Sequence, residues 1–145
     1  TSLAIRLSNL YLNMSGENER LATIDLCSID LSSGAASFYK YGASPSFVKN
    51  RYCTEEVVTG NNDFDTAKPL HYKPVSLSGG DFVIMITDGI LEAFSLSGES
   101  DELLKFIESL DTVNAQVMAE NILNEAKKRS QGKHDDMTVL VTRLW

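Results

Sequence analysis

Hydrophobic positions along this 145-residue chain fall into blocks with different spacings. Leu3, Leu7, Leu10 and Met14 recur at intervals of three and four, which predicts an amphipathic helix over 3–14, ended by Ser15 and Gly16. The polar stretch 17–20 reads as a loop. From Leu21 to Leu31 the chain turns β-like without clean alternation, the pattern of a strand covered on both faces. Ser32, Ser33 and Gly34 mark a tight turn into a second strand over 36–41, so the pair reads as an antiparallel hairpin. Short strands are predicted at 46–49, after Pro45, and at 55–58. Together the four read as a meander joined by local turns.

Residues 60–74 hold two of the three prolines and little periodicity, so a long surface loop is predicted there. Residues 75–77 are extended again, and Gly79-Gly80 turns into a strong strand over 82–87. Beyond Asp88 the spacing becomes helical. After a short helical segment, Leu103, Phe106, Ile107 and Leu110 share one face of a helix over 101–110, with Asp101 and Glu102 at its start, where the helix dipole favours acids. Ala115, Met118, Ala119, Ile122, Leu123 and Ala126 form an apolar stripe over 114–128, closed by Lys127, Lys128 and Arg129. A polar loop leads to a last strand over 137–144. Segregated runs of strands and helices predict an α+β fold, helices packed on a mostly antiparallel sheet, in a single domain over 1–145.

Composition narrows the function classes. Hydrophobic residues make up 43% and charged residues 23%, as in a soluble globular protein. The longest apolar run, 82–86, is far below a membrane span, and no basic segment followed by an apolar one opens the chain, so neither membrane contact nor a signal peptide is expected. The net charge of −7 argues against sequence-independent nucleic-acid binding, which depends on excess Lys and Arg. A phosphorylated substrate would then need something other than net charge to attract it, such as a metal ion. Cys27 and Cys53 lie in apolar, strand-like segments without Cys-x-x-Cys spacing and read as reduced thiols of a cytoplasmic protein.

Candidate chemistry sits at strand ends. Asp88 follows the buried run "VIMIT", and Asp135-Asp136 precede "MTVLVT". If these two strands are antiparallel neighbours, all three acids reach the same edge of the sheet. Carboxylates gathered at a core boundary repel one another, so one takes up a proton or a cation sits between them. Oxygen-only ligands suit hard, hydrated ions such as Mg²⁺ or Mn²⁺, and Gly89 would let backbone and waters approach. The plainer reading stays open: Asp-Gly after a strand is a common turn, and Asp-Asp before one can be a solvated loop. Two rivals lack their residues. Position 86 is Ile, not the nucleophilic Asp of an Asp-x-Asp-Gly phosphatase, and no Gly-x-Ser-x-Gly elbow is present.

Three blocks in this order, "ATIDLCSIDLSSGAASFYKYGASPSFVKN", "LSGGDFVIMITDGILEAF" and "GKHDDMTVLVTRLW", resemble the phosphatase domains of the stage II sporulation protein E family, within the metal-dependent protein phosphatase (protein phosphatase 2C) superfamily. The resemblance runs from the first helix to the last residue. It implies an antiparallel β-sandwich flanked by helices. The implied chemistry is hydrolysis of phosphoserine or phosphothreonine on a protein, by water activated at two Mn²⁺ or Mg²⁺ ions without a covalent phosphoenzyme. Asp88 and Asp135 become metal ligands on this reading, supported by Gly89 and by Asp136, which stands where many relatives carry Asn. The implied partner is a phosphorylated anti-anti-sigma factor of a spore-forming bacterium, and the implied parent is a longer protein with a membrane anchor elsewhere.

Two departures temper what the resemblance implies. The family's metal-bridging aspartate belongs to an earlier Asp-Gly motif, whereas the only Asp-Gly here is Asp88-Gly89. Pro69-Leu70-His71 replaces a Pro-Leu-Gly or Pro-Ile-Gly motif in the long loop. The domain therefore reads as incomplete at its N-terminus, with weak metal binding and little activity expected of this polypeptide alone. Missing strands would expose sheet edges that invite pairing with a second copy. The alternative is a non-catalytic interaction domain with a vestigial metal site. His71 and His134 read as surface residues, although His134 adjoins Asp135. The basic cluster of Lys127, Lys128, Arg129 and Lys133 reads as a helix end, or as a surface for a phosphorylated partner.

Overall fold

The computed structural model describes residues 23–57, 71–95, 99–130 and 135–145. The helix expected over 3–14, most of the loop expected over 60–74, and His134 lie outside the described residues. Within them, seven strands form two antiparallel sheets. The first sheet has the order β1 (Ile24–Ile29), β2 (Ala35–Tyr41), β5 (His71–Ser76). The second has the order β4 (Thr54–Val57), β3 (Ser46–Lys49), β6 (Phe82–Ile86), β7 (Val139–Arg143). Three helices accompany them: α1 (Asp88–Phe94), α2 (Asp101–Ser109) and α3 (Ala115–Arg129).

The β1–β2 hairpin forms where the turn residues predict it. Asp30 Oδ1 accepts from the backbone N–H of Ser32 at 2.9 Å and from its hydroxyl at 2.7 Å, closing the turn on itself. Gly34 follows at φ 72, and a Cβ there would run into the Leu77 carbonyl. Its own carbonyl accepts from Leu77 N at 2.9 Å, which fastens the hairpin turn to the end of β5.

Among the described residues β1 lies at the edge of its sheet, and residues on both of its faces are partly buried, apart from exposed Ser28. Two expectations are corrected. The four early strands are not one meander. β2 pairs with β5, and the chain crosses to the second sheet between β2 and β3, so two hairpins lie in different sheets. The segment assigned to the end of a loop is strand from His71 onward. Pro74 is tolerated there because β5 is an edge strand, where a missing N–H need not break a ladder.

The unbroken apolar run of β6 has a different cause from a one-sided strand. Phe82, Ile84 and Ile86 pack with the three helices, while Val83 and Met85 pack with side chains of the first sheet. Among the described residues the result is three layers, sheet, sheet and helices, with eleven buried residues in the helix-side core and six in the seam between the sheets. At about 1.5–3 kcal/mol for each large apolar side chain, the helix side carries most of the burial energy, and polar groups weigh more heavily in the thinner seam.

Candidate functional site: the acidic edge of the second sheet

β6 and β7 are antiparallel neighbours in the register Ile86↔Val139. The end of one strand therefore meets the beginning of the other, as the sequence requires if the acids are to share an edge. One step past the last paired residues, Thr87 N donates to the Thr138 carbonyl at 3.1 Å. The Thr87 hydroxyl donates to the Asp136 carbonyl at 2.9 Å and accepts from Thr138 N at 2.9 Å. Thr87 thus stitches the two chain segments together, and it is also the residue from which α1 starts, its carbonyl accepting from Ile90 N at 3.0 Å.

Asp88 opens α1, and Gly89, which follows it, faces the approach to β7. A Cβ built on Gly89 would lie 2.8 Å from the Asp136 carbonyl oxygen and 3.3 Å from Asp135 Cβ. Gly89 is buried, whereas Asp88, Asp135 and Asp136 are exposed. Glycine is required here because the backbone of the Asp135-Asp136 segment lies where a side chain would be, which is a more specific reason than access for waters. Asp136 N donates to Asp135 Oδ1 at 2.8 Å, curling that carboxylate back on its own backbone.

The structure therefore brings Asp88, Gly89, Asp135 and Asp136 to one solvent-facing edge. The donor atoms are carboxylate and carbonyl oxygens, the chemistry of a hard, hydrated divalent ion. Among the described residues, no group of three or more His, Cys, Asp or Glu forms a ready cage. The set fits an ion that keeps several waters or draws ligands from elsewhere, and does not fit one enclosed by this segment alone. As the first-turn acid of α1, Asp88 also suits the positive end of the helix dipole.

Two groups escaped the reading of the acids. Thr87 directly precedes Asp88 in "TDG" and Thr138 follows the acid pair in "DDMT", and that recurrence of threonine was the available signal. Arg129, read as a helix end, reaches further. It pairs with Glu102 at 2.7 Å and Glu125 at 3.1 Å, and its guanidinium lies 4.5 Å from the centroid of the Phe94 ring. It thereby ties α2 and α3 to the end of the short helix that begins with Asp88. The neighbouring Lys128 binds Glu125.

The family model described as Stage II sporulation protein E (SpoIIE) matches residues 2–145. The stage II sporulation protein E of Bacillus subtilis (strain 168) is 32% identical over 146 residues, which cover 98% of this chain and 18% of that protein. The phosphatase domain of the cell fate determinant SpoIIE from Bacillus subtilis, in a manganese-presoaked structure, matches at 30% identity and a TM-score of 0.77, covering 98% of this chain and 64% of that one. A structure holding the PP2C phosphatase domain and a fragment of the regulatory domain of the same determinant matches with a TM-score of 0.84 at 30% identity, covering 98% of this chain and 44% of that one. The chain thus spans about a fifth of the curated relative and under two thirds of the matched phosphatase-domain chain. The α+β sandwich is that of the protein phosphatase 2C domain, and this chain belongs to the stage II sporulation protein E family.

Proposed function

We propose that this chain is a single, partial domain, the C-terminal portion of a metal-dependent serine/threonine protein phosphatase, and that Asp88 and Asp135 hold Mn²⁺ or Mg²⁺ at the acidic edge. The observation that carries the reading is the junction itself: Thr87 and Gly89 press the start of α1 against Asp135-Asp136 and gather three carboxylates without a neutralising cation among the described residues. When bound, such ions supply positive charge to phosphate oxygens and lower the pKa of water.

The chain's own residues have separate parts in this arrangement. Asp88 and Asp135 bind and orient. The Thr87 hydroxyl fixes the spacing between their backbones, and Gly89 permits the approach. Asp136 stands beside the ligands through its carbonyl contact with Thr87. Because all three acids face solvent, the edge is open to a phosphorylated side chain presented on another protein, and an anti-anti-sigma factor carrying phosphoserine is the substrate we favour. Among the described residues, no helix is long and apolar enough to cross a membrane; the cytoplasm is the compartment we favour. Among the described residues β1, β5, β4 and β7 stand at sheet edges, which give a second copy, or more of the parent protein, places to pair.

With only two direct carboxylate ligands, metal binding by this chain alone is expected to be weak. Mn²⁺ titration by calorimetry, on the wild type and on Asp88→Asn and Asp135→Asn, tests the assignment. Weak binding by the wild type, reduced about tenfold or more in either variant, supports it; an identical response in all three proteins refutes it. The second reading, a non-catalytic interaction domain with a vestigial site, is favoured by the lack of a three-ligand group among the described residues. Brisk phosphopeptide hydrolysis by this chain with Mn²⁺ would exclude it, and would also overturn the expectation of low activity.

A further inference from the structure

A lysine stands in the apolar seam between the sheets. Ala36, Phe38 and Lys40 alternate along the buried face of β2, and Lys40 is only 4% exposed. Its cross-strand partner is Asp25 of β1. Lys40 Nζ lies 2.5 Å from Asp25 Oδ2 and donates to Ser46 Oγ at 2.8 Å, and the Ser46 hydroxyl lies 3.0 Å from Asp25 Oδ2 as its donor. Ser46 is fully buried and belongs to β3, in the other sheet. The three groups close a triangle across the seam.

This triangle is a poor way to gain stability. Burial pulls the Lys40 ammonium below its ordinary pKa, against the hydrogen bond and charge of Asp25 that hold it up. Among the described residues Asp25 Oδ1 is buried with no hydrogen-bond partner, and an unmade bond of this kind opposes stability. An apolar pair of similar volume is commonly as stable as a buried ion pair, or more so. What a polar triangle offers instead is direction. The apolar seam around it tolerates sliding; three hydrogen-bonding groups meet in one register only.

Its place in the sheet gives that register a consequence. Ser46 pairs with Met85 of β6. Two residues beyond Met85, Thr87 stitches β6 to the Asp135-Asp136 segment, and Asp88 follows. We infer that the Asp25–Lys40–Ser46 triangle is a positioning device, which fixes β3, and through it the end of β6, against the first sheet so that the acidic edge keeps its shape. Its relevance to metal binding rests on the proposed function; its effect on the edge does not.

The test replaces the charged pair with an apolar one, Asp25→Leu with Lys40→Met, and separately removes the cross-sheet link with Ser46→Ala. Amide hydrogen exchange without metal is followed at Thr87, Asp88 and Met137–Val139, alongside urea denaturation and Mn²⁺ binding monitored by electron paramagnetic resonance. The double variant is expected to keep the wild-type denaturation midpoint while exchange at the edge quickens about tenfold and Mn²⁺ affinity drops about tenfold. Ser46→Ala should quicken the same amides. Wild-type exchange at the edge in both variants overturns the inference. So does a double variant that fails to fold, since the pair would then be a stability element. If Asp88→Asn binds Mn²⁺ like the wild type, the metal assignment fails, and the metal-free exchange still decides whether the triangle positions the edge.

Discussion

Two groups of carboxylates occupy the same end of the β-sandwich under opposite conditions. At the acidic edge, Asp88, Asp135 and Asp136 face water, and what holds them is the packing of their backbones: a glycine with no room for a methyl group and a threonine hydroxyl between two strands. In the seam, Asp25 is mostly buried against Lys40 and Ser46, and the side chains themselves form the structure. Charges left in water can repel one another moderately at little cost and remain available to an arriving cation. Charges withdrawn from water must be matched where they stand, which makes them useful for placement and of little use for capture.

The sharpest way to break this comparison is at Gly89. If steric closeness shapes the edge, then adding one methyl group there does more harm than removing a charge. Gly89→Ala places Cβ 2.8 Å from a backbone carbonyl that cannot swing aside as a side-chain end can. We expect a destabilisation of about 1–3 kcal/mol in urea denaturation, larger than any gain in helix propensity from alanine in α1. Asp88→Asn, at an exposed position, should change stability by less than about 0.5 kcal/mol. Equal effects from the two substitutions would mean that charge, rather than packing, holds the edge.

A smaller effect sharpens the seam side. Cys27 shares the inner face of β1 with Asp25 and packs against the seam. Burial, with a further contribution from Asp25, pushes its thiol from 9.0 to about 11. In the unfolded chain the thiol ionises first, so between pH 9 and 11 the unfolded state holds fewer protons and stability falls as pH rises. Lys40 acts with the opposite sign below 10.5, because its folded pKa is lowered and the unfolded chain holds the extra proton. Cys27→Ala removes the falling component, together with the weaker charge interaction between Cys27 and Lys40. Subtracting its stability curve from that of the wild type should leave a negative slope confined to pH 9–11; a flat difference would show that burial does not hold the proton on Cys27.

The same contrast explains what could be read from the sequence. The acidic edge was legible because each of its parts is local: a buried run, an acid, a glycine, and a second acid pair before another run. Only the antiparallel pairing of β6 with β7 had to be assumed, and their register bears it out. The seam was not legible in the same way. Lys40 follows Ala36 and Phe38 at a spacing of two, which marks it as inward-facing, but Asp25 and Ser46 gain meaning only once β1, β2 and β3 are placed in two sheets. A meander would have put β3 beside β2. The crossover that separates them is set by the pairing of β2 with β5, whose first residues resembled a proline-containing loop. Arg129 was hidden for a similar reason: a basic residue closing a helix is explained locally, and nothing local points to Glu102 or the Phe94 ring.

Asp30 tests whether these two conditions exhaust the ways this molecule manages a carboxylate. It is exposed like Asp88, yet its carboxylate is held by hydrogen bonds as that of Asp25 is, here from the hydroxyl and backbone N–H of Ser32. Those hydrogen bonds to the charged form, that of the Ser32 hydroxyl first, lower its pKa from 3.8 to about 2 with smaller help from Ser33 and no cationic partner involved. A depressed carboxylate favours the fold above its unfolded pKa, so the contribution of Asp30 to the β1–β2 turn is present above pH 3.8 and disappears as pH falls through about 2. Ser32→Ala removes the hydroxyl donor and leaves the N–H. In an NMR titration of the Asp30 carboxyl carbon, the midpoint should rise toward 3.8 without reaching it. Recovery of the full ordinary value would assign the whole effect to the hydroxyl. An unmoved midpoint would place it in the backbone of the turn, and Asp30 would then resemble the acidic edge, where main-chain geometry does the holding, more closely than the seam.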